Sequence, residues 1–449
     1  MSILLLCLIS MKKNELVTSC CIDYDYQGNG IVKVDGFVVF VKGLIVGEEA
    51  TIKIIKVLKN SAIGIIVEIT KVSSHRVEPI CPSYRLCGGC YLMHMDYEEQ
   101  LRFKKNYVQS CFKQNKMDIN VNDVMVSENT YHYRNKVQIP LQYDPQKGWQ
   151  YGFYRNHSHD LVSFDTCYIQ DDFANHYIQS FIELLNTSQL TEGIRHVVLK
   201  MMGDQIMVII VITMELPLDV QEAIIALSHY YNITSTLLNH HNGNGNAVLS
   251  YENTLLDGSE SIQAHCLGLN YLISANSFYQ VNTVMMQRLY QCAYDYMQVK
   301  KDETILDLYC GTGTIGLGIA RQANQLIGVD VVESSIENAK ANAILNDIDN
   351  AQFFCLDAGV ASTQLLQQGY RFDGIFVDPP RKGCDDVTID ALKQFSPKRI
   401  VYISCNPATL ARDCAKLSSH YGVTSVTPVD MFANNFHIET VVLLSKLDN

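Results

Sequence analysis

The order of apolar and polar residues divides the chain into three regions. The first, residues 12–72, holds short apolar runs separated by glycines, at 15–22, 30–34, 37–41, 49–57 and 62–69. Short and evenly spaced strands with glycine turns between them are typical of small β-barrels. The pattern therefore predicts a β-barrel as a first domain over residues 11–72.

The second region mixes helical and strand patterns. Helices are predicted at 97–112, 174–185 and 218–230, strands at 137–141, 197–202 and 206–212, and a loop at 240–245. This mixture favours a central α+β domain over residues 73–270.

From residue 304 onward the pattern changes to alternating strands and helices. Strands are predicted at 305–308, 325–329, 352–355, 374–377 and 399–403, with helices at 335–345 and 385–394 among them. Such alternation is typical of a parallel sheet with crossover helices. The fold class is therefore α/β, with a Rossmann-like third domain over residues 271–449.

Composition supports an ordinary globular protein, with 47% apolar and 18% charged residues. No apolar run reaches the 18 residues of a membrane helix. The apolar run at 3–9 is short, and Lys12 and Lys13 follow it, whereas a signal peptide has its basic residues first. We therefore expect a cytoplasmic protein without a membrane partner. Met11 offers a second start, which leaves open whether residues 1–10 are translated.

The formal net charge of −12 argues by itself against nucleic acid, but the charge is unevenly distributed. Residues 1–160 hold 19 basic and 16 acidic residues, a net charge of +3, whereas residues 161–449 carry −15. An RNA partner bound by the N-terminal part remains compatible with this distribution.

The 15 cysteines are not expected to form a disulfide framework, because no signal peptide precedes them. Cys81, Cys87 and Cys90 form a C-x5-C-x2-C motif, which indicates a metal or iron–sulfur site. The fourth ligand must come from elsewhere in the chain. Cys167 is the better candidate and Cys111, on a predicted helix, is its rival. Zinc remains an alternative at this point.

Four groups with catalytic or ligand-binding chemistry follow strands of the third region. A glycine turn over 307–314 and an acid, Asp330, at the end of the next strand fit a dinucleotide or S-adenosylmethionine. Asp378, followed by two prolines, and Cys405 come directly after two further strands, at the edge where parallel strands bind ligands. Cys405 is a candidate nucleophile and Glu439 a candidate general base.

These motifs together carry a family resemblance over nearly the whole chain from Met11. The markers are the Gly28–Gly30 pair, the cysteine motif, the Phe278–Asn282 segment FYQVN, DLYCGTGTIGL, DPPRKG, SCNPATLARD and HIETVVLL. In this order and spacing the chain resembles bacterial uracil-5-methyltransferases of 23S ribosomal RNA that have a TRAM domain and an iron–sulfur cluster. The resemblance implies that the first domain is an OB-like TRAM barrel that binds RNA. No obligate protein partner is evident from the sequence.

The resemblance implies roles for ten residues. Cys405 matches the nucleophile and Glu439 the base. The positions that bind S-adenosylmethionine, or lie beside it, are Gln280, Tyr309, Asp330 and Asp378. The ligands of a [4Fe–4S] cluster are Cys81, Cys87, Cys90 and Cys167. Asp330 departs from the family pattern, which more often has Glu there, although the shorter side chain can still reach a ribose diol.

RNA binding is expected to fall to the barrel and the central domain. Candidate phosphate contacts are Lys33, Lys42, Arg76, Arg85, Arg134, Lys136 and Arg155. Candidate stacking residues are Tyr131, Tyr133, Tyr151, Phe153 and Tyr154, of which at least half are expected to be core.

Three other functions compete with this interpretation. A transfer-RNA uracil-5-methyltransferase is disfavoured because the related transfer-RNA enzymes usually lack the barrel and the cysteine motif. An inactive RNA-binding assembly factor is disfavoured by the presence of both Cys405 and Glu439. A radical S-adenosylmethionine enzyme would normally carry C-x3-C-x2-C, which this chain does not match.

Overall fold

The computed structural model describes residues 11–156, 158–241 and 247–447. The expectation about residues 1–10, and most of the predicted loop at 240–245, lie outside the described residues. In the described part of the chain, no helix is long and apolar enough to cross a membrane.

The N-terminal residues form a closed five-stranded barrel. Its strands are β1 (Leu16–Tyr24), β2 (Gly30–Val34), β3 (Phe37–Val41), β4 (Glu49–Val57) and β5 (Ser61–Lys71). The order around the barrel is β1-β2-β3-β5-β4, and β3 and β5 pair in parallel. Alternate residues of β4 point inward, so Ala50, Ile52 and Ile54 are fully buried. Gly64 faces Ile52, and a Cβ atom there would collide with it.

Helix α1 (Tyr97–Gln114) joins the barrel to the rest of the molecule. Tyr24 of β1 donates its hydroxyl to the buried carboxylate of Glu99 at 2.5 Å and accepts from the Val46 backbone N–H at 3.0 Å. The Tyr24 ring packs edge-on against Phe103 with 5.5 Å between the ring centroids. The barrel is therefore fixed to α1 by a buried polar contact as well as by apolar packing.

The central region is built on a six-stranded mixed sheet. Its order is β13 (Asn253–Gly258), β12 (Ser235–His240), β11 (Gln205–Ile212), β10 (Ile194–Met202), β6 (Lys136–Asp144) and β7 (Gly148–Tyr151). Two short hairpins accompany it: β8 (Phe153–Tyr154) with β9 (Leu161–Val162), and β14 (Ile262–Cys266) with β15 (Leu269–Ile273).

Both faces of this sheet are covered, which explains the continuous apolar runs of β10 and β11. One face packs on α2 (Asp172–Thr187) and α3 (Leu218–Tyr230). The other face shares a hydrophobic cluster with the C-terminal region, to which Val198 and Met207 contribute.

The C-terminal region has a seven-stranded sheet. Its strands in chain order are β16 (Thr304–Leu308), β17 (Gln325–Asp330), β18 (Ala351–Cys355), β19 (Gly374–Val377), β20 (Arg399–Ser404), β21 (Tyr421–Val429) and β22 (Glu439–Lys446). Its helices are α4 (Thr283–Met297), α5 (Thr314–Ala320), α6 (Glu333–Leu345), α7 (Ala358–Gln367), α8 (Asp386–Phe395) and α9 (Pro407–Leu417).

The strand order β18-β17-β16-β19-β20-β22-β21 creates the ligand crevice. Strands β16 to β20 are parallel, and the chain reverses its direction of winding between β16 and β19. Ligands of open α/β sheets bind at the carboxyl ends of the strands beside such a switch point. β22 enters between β20 and β21, antiparallel to both.

The strands and helices predicted from the pattern are confirmed, with ends that differ by no more than three residues. The pattern does not predict β7 to β9, β12 to β15, β21, α4 or α7.

Candidate active site

The strand order brings the two proposed catalytic residues to one edge of the C-terminal sheet. Cys405 follows β20, and Glu439 begins β22. Because these strands are antiparallel and Ser404 pairs with Thr440, the register places Cys405 beside Glu439. The parallel strand β19 ends next to β20, so Asp378 lies at the same edge.

Cys405 opens into a cavity of about 150 Å³ at the boundary of the three regions. The residues that line the cavity are Tyr26, Tyr107, Arg381, Cys405, Asn406, Pro407, Phe436, His437 and Ile438. Asn406 caps α9 by accepting a hydrogen bond from the Ala408 backbone N–H at 3.2 Å. The nucleophile candidate therefore sits directly before a helix N-terminus, as reactive cysteines often do.

Burial and charge set the protonation of this edge. Burial raises the pKa of the Cys405 thiol to about 11, and the carboxyls of Glu439 and Asp378 add to the rise, while the Arg381 guanidinium opposes it. Burial also raises the pKa of Glu439 to about 8, with Asp378 adding and Arg381 opposing. Burial raises the pKa of Asp378 to about 7. The carboxyls thus titrate near neutral pH, where proton transfer in both directions is easiest.

Sequence reasoning gave no role to several residues that the structure brings to the cavity. Arg381 comes from the DPPRKG motif and acts electrostatically on both Cys405 and Glu439. Phe436 and His437 precede Glu439, with their ring centroids 4.2 Å apart. Tyr26 belongs to the barrel, and its ring packs edge-on against Phe436. Arg381 lies in the DPPRKG motif and His437 in the HIETVVLL motif, so the sequence could have indicated a role for both. Nothing in the sequence links Tyr26 to this cavity.

The glycine turn lies at the switch point between β16 and β19. Gly311 and Gly313 have φ angles of +54° and +82°, and a Cβ atom on Gly311 would meet nothing within 4 Å. Asp330 accepts hydrogen bonds from the backbone N–H groups of Gly311 and Val332, each at 2.9 Å. Open space beside a glycine backbone, with an acid at the neighbouring strand end, fits an adenosine-containing ligand.

Asp307 and Gln280 add polar groups without partners. Asp307 is fully buried; one carboxyl oxygen accepts from the Gly316 N–H at 2.9 Å, and the other has no partner among the described residues. Burial raises the pKa of Asp307 to about 8. The buried side-chain amide of Gln280 likewise bonds to no residue in the described ranges, while its backbone oxygen accepts from Asn135 at 3.1 Å. Such unpaired groups suit a site that a polar ligand completes.

Tyr309 directly follows β16, and Gln280 lies between β15 and α4. Tyr309 adopts a φ of +64°, and its side chain packs near Cys384 and Thr388, where burial raises its pKa above the usual range. The loop that carries Gln280 is held by Lys200, whose ammonium donates to the backbone oxygens of Ser274 and Ser277 at 2.7 and 2.9 Å.

The four cysteines implied as cluster ligands lie together, far from Cys405 in the chain. Cys81, Cys87, Cys90 and Cys167 all line one cavity of about 220 Å³ and form no disulfide. Burial, and then the neighbouring thiols of Cys167, Cys87 and Cys81, raise the pKa of Cys90 above its usual range. The rival Cys111 is instead buried in α1, within the hydrophobic cluster of the C-terminal sheet.

No three His, Cys, Asp or Glu side chains of the described residues are arranged to hold a single metal ion. This result supports neither a zinc ion nor a cluster at the four cysteines. A set of soft thiols around a cavity, with no competing carboxylate in its lining, does suit a larger iron–sulfur group.

The RNA contacts expected from the sequence need one correction. Arg76 forms two hydrogen bonds of 2.6 Å to the buried carboxylate of Glu48 and a third to the Gly43 oxygen. Its guanidinium is occupied inside the protein, so its prediction as a phosphate contact is wrong. Lys33, Lys42, Arg85 and Arg155 are exposed, whereas Arg134 and Lys136 are half-buried.

The candidate stacking residues are mostly part of the packing, as expected for at least half of them. Tyr133 is buried and donates its hydroxyl to the Ala433 oxygen at 3.0 Å. Tyr131 packs against the cysteine cluster residues, and Tyr151 and Phe153 pack against the central core. Tyr154 is half-buried, with its ring edge-on to His159.

Comparison with known proteins identifies the family. Residues 96–447 match the family described as tRNA (uracil-5-)-methyltransferase, and residues 23–67 match the TRAM domain, inside the barrel. A protein of Clostridium tetani described as an uncharacterised RNA methyltransferase is 38% identical over 97% of this chain and 98% of its own length. A Staphylococcus aureus protein with a similar description is 39% identical over 97% and 99%.

A solved structure shares the fold of the whole chain. It is the tRNA (uracil-54, C5)-methyltransferase of Pyrococcus abyssi in complex with S-adenosyl-L-homocysteine, with a TM-score of 0.75 and 24% identity. The match covers 95% of this chain and 99% of that one. With the family match, the TRAM barrel and the crevice described above, the chain belongs to the TRAM-containing RNA uracil-5-methyltransferases, which take their methyl group from S-adenosylmethionine.

Proposed function

We propose that the protein methylates carbon 5 of a specific uridine in 23S ribosomal RNA through a covalent adduct with Cys405. The observation that carries this proposal is that Cys405 and Arg381 line one cavity while the β20–β22 register places Glu439 beside Cys405, so that the carboxyl of Glu439 and the guanidinium of Arg381 both act on the Cys405 thiol. A thiol, a carboxyl and a guanidinium are the groups that addition to a uracil ring and removal of a proton require.

The chemistry gives each residue a step. Carbon 5 of uracil is a weak nucleophile until the Cys405 thiol releases its proton to solvent and the resulting thiolate adds to carbon 6, which converts the ring to an enolate. After methylation, Glu439 accepts the proton from carbon 5. The electron pair of that C–H bond re-forms the 5,6 double bond and expels the thiolate. Arg381 stabilises the thiolate in both its attacking and its leaving states.

The methyl donor is proposed to bind beside the glycine turn. Asp330 would hold its ribose diol, and Gln280, Tyr309 and Asp378 would line or border its site. The empty space over Gly311 and the unpaired oxygen of Asp307 suit such a ligand. When bound, S-adenosylmethionine supplies the methyl group from a sulfonium. Its positive charge is compatible with an acidic crevice, which then needs no other cation.

Glu439→Gln tests the role of the base. The variant keeps the size of the side chain but cannot accept the proton, so we expect the covalent enzyme–RNA adduct to accumulate. Denaturing gel electrophoresis after incubation with S-adenosylmethionine and RNA would reveal it as a slowly migrating band. Turnover at the wild-type rate, without any such band, would exclude Glu439 as the base.

Transfer RNA is the second candidate substrate. The barrel does not exclude it, because the transfer-RNA (uracil-54, C5)-methyltransferase of Pyrococcus abyssi matches 95% of this chain. The resemblance to cluster-containing ribosomal RNA enzymes still favours ribosomal RNA, since the four cysteines lie around one cavity.

Mass spectrometry of 5-methyluridine decides between the two substrates. Ribosomal and transfer RNA would be separated from cells with the gene deleted and from cells with it restored. We expect the modification to disappear from large-subunit ribosomal RNA and to return on complementation. Loss from transfer RNA alone would keep the chemistry and overturn the substrate. No loss from either would return us to an inactive assembly factor.

We also propose that Cys81, Cys87, Cys90 and Cys167 bind a [4Fe–4S] cluster with a structural role. The cluster would cross-link the cysteine motif to Cys167, which lies between β9 and α2. Neither the addition of Cys405 nor the proton transfer to Glu439 needs an electron.

Iron content after anaerobic purification tests the ligand set. We expect about four irons per chain in the wild-type protein and a marked loss in Cys167→Ser. The matched control is Cys111→Ser, which should keep the iron because that thiol lies on α1 in the hydrophobic core of the C-terminal sheet. Equal iron in Cys167→Ser and wild type would remove Cys167 from the set.

A further inference from the structure

The loop between β21 and β22, residues 430–438, ends at the proposed base and contacts the barrel through Phe436, α1 through Asp430 and the start of α4 through Met431. Asp430 forms a buried ion pair with Lys104 of α1, with 2.5 Å between the carboxylate oxygen and the ammonium. Phe436 and His437 line the cavity of Cys405, and Glu439 follows them. The position of this loop therefore sets the position of two walls of the cavity and of the base.

Asn434 makes the densest set of hydrogen bonds in this loop, and only 2% of its surface is exposed. Its backbone oxygen accepts from the N–H groups of Tyr91 and Leu92 at 3.0 and 3.1 Å. Its backbone N–H and its side-chain oxygen both bond to the Gln100 amide, at 2.9 and 3.2 Å. Its side-chain nitrogen donates to the Thr130 oxygen at 2.8 Å.

Neighbouring residues extend these links to the cysteine motif. Asn435 donates from its side chain to the Gly89 oxygen, between Cys87 and Cys90, at 2.7 Å. Ala433 packs in the same cluster as Cys81, Cys90 and Cys167. Tyr91 follows Cys90 directly, and its ring packs edge-on against Phe436 with 4.9 Å between centroids.

We propose that Asn434 is a positioning residue for the reaction. It joins the β21–β22 loop to the segment after Cys90 and to α1, and so holds Phe436, His437 and Glu439 against Cys405. The segment that carries the cysteine motif then helps to hold the loop that positions Glu439 for removal of the proton, although the thiols of the motif lie outside the cavity of Cys405. This inference rests on the proposed role of Glu439 as base.

Asn434→Gly tests the proposal with little change to the backbone. Asn434 has a φ of +65°, which glycine adopts without strain, so the backbone hydrogen bonds can remain while both side-chain bonds are lost. We expect kcat to fall about 10- to 100-fold, because a small displacement of a catalytic group has effects of that size. The KM for S-adenosylmethionine should change less than about twofold, since the glycine turn contacts another part of the sheet.

The diagnostic result is the covalent adduct. A displaced Glu439 slows the removal of the proton, so Asn434→Gly should accumulate the same slowly migrating enzyme–RNA species as Glu439→Gln, with unchanged iron content. The matched control is Asn232→Gly, at an exposed turn with a φ of +54°, which should behave as wild type. Asn434→Asp keeps the acceptor to Gln100 and should recover part of kcat.

A second variant covers the case in which Asn434→Gly folds poorly. Asn435→Ala removes from a half-buried side chain both the bond to the Gly89 oxygen and the acceptor of the His437 backbone N–H, and should give the same adduct with a smaller loss of kcat. An adduct in Glu439→Gln but in neither asparagine variant would overturn the positioning role alone. No adduct in any of the three would overturn the proposed base, and this inference with it.

Discussion

At the scale of single residues, buried carboxyl groups dominate the active edge of the C-terminal sheet. Burial raises the pKa of Asp307 to about 8, of Asp378 to about 7 and of Glu439 to about 8. Arg381 is the cation that opposes this rise at Glu439. The edge therefore holds protons near neutral pH that free carboxyls would release.

Asp307 makes stability depend on pH in a defined direction. The folded state keeps a proton on Asp307 up to about pH 8, whereas the unfolded chain releases it near the ordinary value of 3.8. Between these values the folded state binds more protons, so the free energy of unfolding falls as pH rises, by up to about 1.4 kcal/mol per pH unit.

We expect Asp307→Asn to flatten this dependence, by about 1 kcal/mol per pH unit between about pH 5 and pH 7. Urea unfolding at a series of pH values would measure it. Asp302→Asn, at an exposed position two residues before the same strand, should leave the slope unchanged. Parallel slopes in Asp307→Asn and wild type would show that Asp307 is ionised in the folded protein.

Cys405→Ala should separate chemistry from binding. Without a thiol no adduct forms, and we expect turnover to fall by at least about 10³-fold while affinity for RNA changes less than about threefold. Methyl transfer from labelled S-adenosylmethionine and a filter-binding titration would measure the two effects. Methylation at the wild-type rate would contradict covalent catalysis.

At the scale of elements, the antiparallel entry of β22 between β20 and β21 is the decisive feature. A parallel last strand would place its first residue at the opposite edge of the sheet from Cys405, because parallel strands begin where their neighbours begin. The antiparallel strand instead brings Glu439 to the carboxyl end of β20. The attachment of the barrel to α1 is the second such feature, since it brings Tyr26 to the cavity of Cys405.

The hydroxyl of Tyr24 should contribute much of the stability of the contact between the barrel and α1. Tyr24→Phe removes the hydrogen bond to the fully buried Glu99 and leaves the Val46 N–H without a partner. We expect the free energy of unfolding to fall by about 1–3 kcal/mol, measured by urea denaturation. Tyr26→Phe is the matched control, because that side chain is 57% exposed and should change stability by less than about 0.5 kcal/mol.

At the scale of the whole molecule, residues of the barrel, α1 and the C-terminal region line one cavity together with Cys405, so we expect RNA held by the barrel to reach this thiol. The net charge is +3 in residues 1–160 and −15 in the remainder, so we expect the attraction for RNA phosphates to come mainly from the first 160 residues. We expect the acidic C-terminal region to receive a single extruded base instead of the RNA backbone.

Two basic residues should respond differently to neutralisation. Lys33 is exposed, so Lys33→Gln should reduce the slope of log affinity against log salt by about 0.7, the value for one phosphate of a single strand. Arg76→Gln should leave the slope unchanged. It should instead lower the free energy of unfolding by about 3 kcal/mol, because Glu48 stays buried without its partner. Salt titrations and urea unfolding of both variants would measure this contrast, and a reversed result would contradict it.

The sequence by itself determined the elements with strong periodicity and the motifs that follow them. The strands at 374–377 and 399–403 are continuous apolar runs because both faces of the sheet are covered, and position after such a strand is enough to bring Asp378 and Cys405 to one edge. It did not reveal β21, whose nine residues include Gly422 and Pro428 and lack a clear apolar alternation.

Only the tertiary structure decided which distant residues meet. The sequence left Cys111 and Cys167 both open as partners of the cysteine motif, and the packing of α1 places Cys111 in the core while Cys167 reaches the cavity of the other three. The ion pair between Arg76 and Glu48 could not be predicted from the sequence, and neither could the position of Tyr26 in the cavity of Cys405. The physical reason is that the apolar pattern of a helix or strand shows which of its residues are buried. It does not show which other element covers them, and side-chain partners depend on how separate elements pack.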